Sequence, residues 1–185
     1  MFFEEKQFYS LNYFAKYYTY CGYSAIRISR LLKPDAHLYT LEKYDTTDTA
    51  QSIIDHAGLT EKITIINSDL ATYINKAEKI EPFDFIFIDH CKSEYLSDFH
   101  LMEKHGLIVG GTVIVADNIL YPGAPDYKHY LLSSGDKYEN VCYKTCLEYT
   151  DDIEDEILVS IRKNDIEPPQ TQNFNLFNIF SKIWK

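Results

Sequence analysis

FDFIFIDHCK at 83–92 and GTVIVADN at 111–118 are the stretches on which the fold turns, because each is a short apolar run that stops at a carboxylate. The first ends at Asp89 and the second at Asp117, with Asn118 beside it. Runs this short, rich in Ile, Val and Phe and without alternation, read as strands buried on both faces of a parallel sheet. Functional groups in open α/β sheets gather at the carboxyl ends of the strands. If the two strands are neighbours, Asp89, Asp117 and Asn118 meet there as oxygen ligands. That set suits Mg²⁺, a hard cation that takes one or two carboxylates and keeps positions open for substrate. Taken singly, a strand-end Asp begins a turn or caps a helix. Two such ends, with Lys92 three positions past the first as a candidate base, point to a metal site.

Outward from this centre the chain alternates strand and helix. A helix is expected over 23–32 before Pro34, a strand at 37–43 closing on Glu42, and a helix over 45–57 stopped by Gly58. A strand at 62–67 and a helix at 69–79 follow. Another helix is expected at 94–104, ended by Gly106, and a short one at 127–133 after the turn-rich YPGAPD. VCYKTCLEY at 141–149 and EILVSIRKN at 156–164 are β-rich runs around an acidic turn and read as an antiparallel hairpin. Residues 11–19 (LNYFAKYYT) are expected to form the first strand, at the centre of the sheet. The whole is α/β: a mostly parallel, doubly wound sheet with an antiparallel C-terminal hairpin. Beyond Pro168 and Pro169, Phe174, Phe177, Phe180, Ile183 and Trp184 recur at helical spacing. The expected division is a domain over 1–165 and a tail over 166–185 forming an amphipathic helix.

Composition narrows the function. A chain of 185 residues is most simply one domain. The net charge of −10 argues against nucleic acid, whose binding needs clustered Lys and Arg. No apolar run is long enough for a transmembrane span, and MFFEEKQF carries acidic residues where a secretory signal has basic ones. Cys21, Cys91, Cys142 and Cys146 lack paired C-x-x-C spacing, which argues against zinc and suits reduced thiols in a cytoplasmic setting.

With these segments in place, the chain resembles the catechol O-methyltransferase family. The matching pieces are TYCGYSAIRISRLL at 19–32, LYTLEK at 38–43, DFIFIDHCKSEYL at 84–96, GGTVIVADNILYPGAPD at 110–126 and CLEY at 146–149. The resemblance implies a Rossmann-like class I methyltransferase in which S-adenosylmethionine donates a methyl group to one hydroxyl of a Mg²⁺-bound catechol. It implies a small-molecule substrate; a monomer is expected. Asp89, Asp117 and Asn118 fall on the family's metal ligands and Lys92 on its general base. Glu148 falls on the carboxylate that holds the second catechol hydroxyl, and Pro122, Asn118 and Lys92 border the substrate. On the donor side, Glu42 falls on the residue that takes the ribose hydroxyls. Tyr20 and Ser24 lie in the turn at the donor's amino-acid end, and Asp89 and His90 lie beside the donor, His90 at its adenine.

The chain also departs from the family. The first nineteen residues do not match, so the family's N-terminal helices are expected to be missing. Where the family has an acidic residue, Gly and a small residue before the Tyr, this chain has Lys16, Tyr18 and Thr19; Gly22 is kept. A Cβ where the backbone approaches the donor resists that approach, and Lys16 repels the donor's ammonium. Leu70 and Ala71 stand near the family's Ser-Gln pair, and Cys91 replaces a Trp that walls the catechol pocket. Three readings follow: a working methyltransferase with weakened donor binding, a truncated non-catalytic relative, and a metal-dependent hydrolase using Asp89 and Asp117, for which no nucleophile motif occurs.

Overall fold

A computed structural model describes residues 13–17 as backbone, and residues 19–44, 46–147 and 150–164 with their side chains. Tyr18, Glu148, the side chain of Lys16 and the tail after Asn164 lie outside the described residues. The order is β1 (Tyr13–Tyr17), α1 (Tyr23–Ser29), β2 (His37–Glu42), α2 (Thr47–His56), β3 (Ile63–Asn67), α3 (Leu70–Lys76), β4 (Phe85–Ile88), α4 (Tyr95–Lys104), β5 (Val113–Ala116), α5 (Pro125–Ser133), β6 (Tyr138–Cys146) and β7 (Glu154–Arg162). A 3₁₀ turn at Lys92–Glu94 leads into α4, and a wide π-type turn at Ile119–Gly123 follows β5.

The strands form one sheet in the order β3-β2-β1-β4-β5-β7-β6. β1 to β5 run parallel, and β7 and β6 close that edge antiparallel. β1 therefore lies inside the sheet between β2 and β4, the middle of the five parallel strands and one place from the centre of the whole sheet that the 11–19 reading expects. The chain runs outward from β1 to β3 and then returns to β4 on the other side of β1. That reversal opens a crevice at the carboxyl ends of the strands, the usual place for a ligand in such sheets.

Burial explains why β4 and β5 lack alternation. Phe85 and Phe87 face one apolar layer with Ala25, Ile28 and Ile54 from α1 and α2. Ile86 and Ile88 face the other, with Tyr95, Phe99 and Met102 of α4 and Tyr127 and Leu131 of α5. A strand covered on both sides has no solvent face on which to place a polar residue. β6 is the outer edge and mostly exposed; it starts at the buried Tyr138, three residues before the expected 141, because the polar Glu139 and Asn140 separate that residue from the apolar run in the sequence. α1 ends at Ser29 instead of 32, because the N–H groups of Leu31 and Leu32 turn back to the carbonyls of Ile28 and Ser29. α5 starts two residues earlier than expected because Pro125 is suited to a first helical position. Gly22 opens α1 at φ 84°, where a Cβ would press on Ile54 Cγ1 at 3.4 Å. Among the described residues, no helix is long and apolar enough to cross a membrane.

Phe99 is fully buried and meets the rings of Tyr127 and Tyr138 at 5.5 and 5.6 Å. Phe99→Ala should lower the unfolding free energy by about 3–5 kcal/mol. Denaturant titration reads this directly, and a loss under ~1 kcal/mol would place the helical layer elsewhere.

Candidate active site

The ladder between β4 and β5 brings the two strand-end carboxylates together. Ile88 pairs with Ala116, and the N–H of Asp117 continues the ladder to the carbonyl of Ile88 at 3.1 Å. Asp89 and Asp117 are each one residue beyond that pair, so both emerge from the apolar layers at the same level. The 3₁₀ turn then carries Lys92 back over the end of β4, with Nζ 3.2 Å from Asp89 Oδ1. Nζ also donates to the Tyr95 hydroxyl at 2.6 Å. That hydroxyl donates in turn toward the carbonyls of Ile88 and Asp117, each at 3.1 Å. Burial, reinforced by Asp89 and Asp117, pushes the Tyr95 hydroxyl far above its ordinary pKa. It therefore stays protonated as a fixed link between both strand ends and the amine.

Asp117 is only 5% exposed, and its carboxyl is pushed up to about 7. Burial is the first cause and the Asp89 charge the second, while the Asn118 N–H and Lys92 pull the other way. The side chains fit a hard cation: two carboxylates resist joint ionisation until a positive charge arrives between them. Asn118 stands beside them at φ 54°, a left-handed conformation that Asn tolerates better than most residues. Its Nδ2 donates to Asp155 Oδ2 at 2.9 Å, which leaves the carbonyl oxygen as the acceptor end of the amide.

Beside this cluster lies a cavity of about 400 Å³ lined by residues that include Tyr44, Ser68, Asp69, Asp89, His90 and Lys92. His90 Nε2 lies 3.1 Å from Asp98 Oδ2, and its ring packs 4.9 Å from that of Tyr95. Lys43 reaches Glu94 at 3.0 Å along the same wall. His90, Glu94 and Asp98 bring ligand-type atoms within 4.8 Å of one another, but His90 and Asp98 already face each other and Lys43 occupies Glu94. At the end of β3, Asp69 caps α3 by accepting the Thr72 N–H at 2.8 Å, which also holds its carboxylate down.

The β1–α1 turn is organised by Glu42, which is fully buried. Its Oε2 accepts the N–H groups of Thr19 and Tyr20 at 3.1 and 2.8 Å, and its Oε1 accepts that of Tyr44 at 2.9 Å. Thr19 Oγ1 adds a bond to Thr40 Oγ1 at 2.8 Å. Tyr20 is 60% exposed at φ 49°, and Ser24 is buried in the first turn of α1.

Of the residues singled out in the sequence, the structure brings Asp89, His90 and Lys92 to the cavity wall, with Asp117 and Asn118 at the adjoining strand end. Pro122 is exposed in the 119–123 turn, after a cis peptide bond. Glu42 lies beneath the β1–α1 turn, with its oxygens toward backbone. Sequence reasoning missed Tyr95, Asp155, Tyr44 and Ser68. Tyr95 carries a usable signal, since it stands three positions past Lys92 at the start of a helix. Asp155 carries none, lying within the acidic run DDIEDE at 151–156.

A sequence profile of the O-methyltransferase family matches residues 15–128. The chain is 43% identical over 136 residues to catechol O-methyltransferase B of Danio rerio, covering 71% of this chain and 51% of that protein. It is 39% identical over 135 residues to catechol O-methyltransferase of Sus scrofa, covering 71% of this chain and 72% of that one. The chain thus spans about half the length of the Danio rerio relative and nearly three quarters of the Sus scrofa one. The solved O-methyltransferase from Bacillus cereus, a complex with SAH, superposes with a TM-score of 0.73 at 24% identity, covering 83% of this chain and 74% of that one. This last likeness is one of fold.

Asp117 holds its proton more tightly when folded, since about 7 lies above its ordinary value of 3.8. The stability this adds is complete below the ordinary value and is lost as pH rises through about 7. Without divalent cations, Asp117→Asn should therefore be more stable than the parent at pH 8, on the order of 2–4 kcal/mol, with a smaller gap at pH 5. Added Mg²⁺ should raise the parent's melting temperature, more at pH 8 than at pH 6, and leave the variant unmoved. A Mg²⁺ shift that survives in the variant would overturn the assignment.

Proposed function

Because this chain belongs to the O-methyltransferase family, we propose that it transfers a methyl group from S-adenosylmethionine to one hydroxyl of a catechol-type small molecule. The observation that carries this reading is the Lys92 amine 3.2 Å from Asp89, on the wall of a cavity at the sheet's reversal and beside Asp117 of the next strand. Asp89, Asp117 and Asn118 would hold Mg²⁺, which when bound would make the acceptor hydroxyl more acidic and help to orient the acceptor. The chain's own residues do the rest. Lys92 accepts the acceptor's proton at Nζ, for which it must be neutral. The freed oxygen takes the methyl carbon as the donor's carbon–sulfur bond breaks, leaving a neutral thioether. Tyr95 keeps Nζ from swinging into solvent, so the base stays over the strand end. Holding oxygen and carbon in line supplies much of the remaining acceleration.

In this reading His90, Tyr44, Ser68 and Asp69 wall the donor, and Tyr20 and Ser24 meet its amino-acid end. Glu148 holds the second hydroxyl and Pro122 borders the ring. Cys91, exposed where the family has Trp, leaves the catechol wall thinner, which favours bulkier acceptors. One observation favours the second reading, a non-catalytic relative with impaired donor binding. A ribose needs an acceptor that faces the cavity, whereas Glu42 is buried and engaged by the N–H groups of Thr19, Tyr20 and Tyr44.

Calorimetric titration with S-adenosylmethionine separates the two. Saturable binding, with catechol methylation that falls on the order of 10²–10⁴-fold in Lys92→Met, is the expected result. Donor affinity should survive in that variant. Absence of donor binding in the parent would establish the non-catalytic reading instead.

A further inference from the structure

We propose that Asp155 is a positioning residue that sets which end of the Asn118 amide faces the metal site. The inference rests on the metal reading above and adds to it a residue from another part of the chain. Asp155 is the second residue of β7 and is 2% exposed. Antiparallel pairing of Ala116 with Leu158 carries the start of β7 past the end of β5, which seats Asp155 against the turn that follows Asn118. Its Oδ1 accepts the N–H groups of Leu120 at 3.0 Å, Tyr121 at 3.1 Å and Glu156 at 2.7 Å. Its Oδ2 accepts only the Asn118 amide among the bonds found for it, at 2.9 Å.

The division of labour between the two oxygens is the point. A side-chain amide has a donor end and an acceptor end, and a cation takes only the acceptor. With its NH₂ bound to a carboxylate, Asn118 presents its carbonyl oxygen to the strand end where Asp89 and Asp117 meet. A carboxylate is the group required here, because both of its oxygens accept. An amide at 155 would keep its oxygen on the three backbone N–H groups and turn its own NH₂ toward Asn118. Asn118 would then reverse, pointing its NH₂ at the cation. Outer partners of this kind orient metal ligands generally, and their loss typically costs 10–100-fold in affinity.

The test uses Mn²⁺ as a paramagnetic stand-in for Mg²⁺, its binding counted by electron paramagnetic resonance. Melting curves of the same samples report the fold. Asp155→Asn should bind Mn²⁺ about 10–100-fold more weakly than the parent. Combining it with Asn118→Asp exchanges donor and acceptor, and the exchanged pair should regain the parent's affinity or exceed it. That rescue is something a merely structural role would not produce. Should Asp155→Asn unfold, the exchanged pair still decides: folded with Mn²⁺ bound supports the proposal, folded without it overturns the proposal. Parent-like affinity in folded Asp155→Asn overturns the role of Asp155 alone. Failure of the parent to bind Mn²⁺ overturns the metal reading, and this inference with it.

Discussion

Two strands without a solvent face govern the arrangement of this protein. β4 and β5 lie between two apolar layers, so neither can carry a charge until it leaves them. Their pairing makes them leave at the same level, one residue beyond Ile88 and Ala116. Asp89 and Asp117 are therefore close because the core forbids them elsewhere. Burial first, and the Asp89 charge second, hold Asp117 partly protonated near neutral pH. That is a poor state for an isolated carboxylate and a prepared one for a divalent cation.

Around this pair the polar groups are organised from behind. Tyr95 connects the carbonyls of both strand ends to the Lys92 amine. Asp155 connects the turn after β5 to the Asn118 amide. Both are buried, so their bonds are not exchanged for water, and each fixes a side chain that would otherwise rotate. The rigid elements supply position and these two residues supply orientation.

The β1–α1 turn, which the proposed reading assigns to the donor, is built differently. Glu42 folds the β1–α1 turn around its own carboxylate, and the exposed Tyr20 above it takes a left-handed conformation. A buried carboxylate that satisfies several N–H groups stabilises the turn strongly, and for the same reason it is not readily offered to a ligand. The contrast with the open cluster at Asp89 is where catalytic and non-catalytic readings of this chain divide.

The doubly wound sheet was readable in the sequence, because burial on both faces leaves an unbroken apolar run and turns leave Gly and Pro. The strand-end residues Asp89, Asp117, Asn118 and Lys92 were readable for the same reason, since polarity returns where a strand leaves the core. Helix limits slipped by two or three residues at 29 and 125, where turn bonds and an opening proline compete with periodicity. Asp155 and the burial of Glu42 could not be read. An acidic residue looks alike in sequence whether it meets water or backbone N–H groups. Only the tertiary structure, which brings residue 155 against residue 118 and residue 42 beneath residues 19 and 20, decides which partner each carboxylate has.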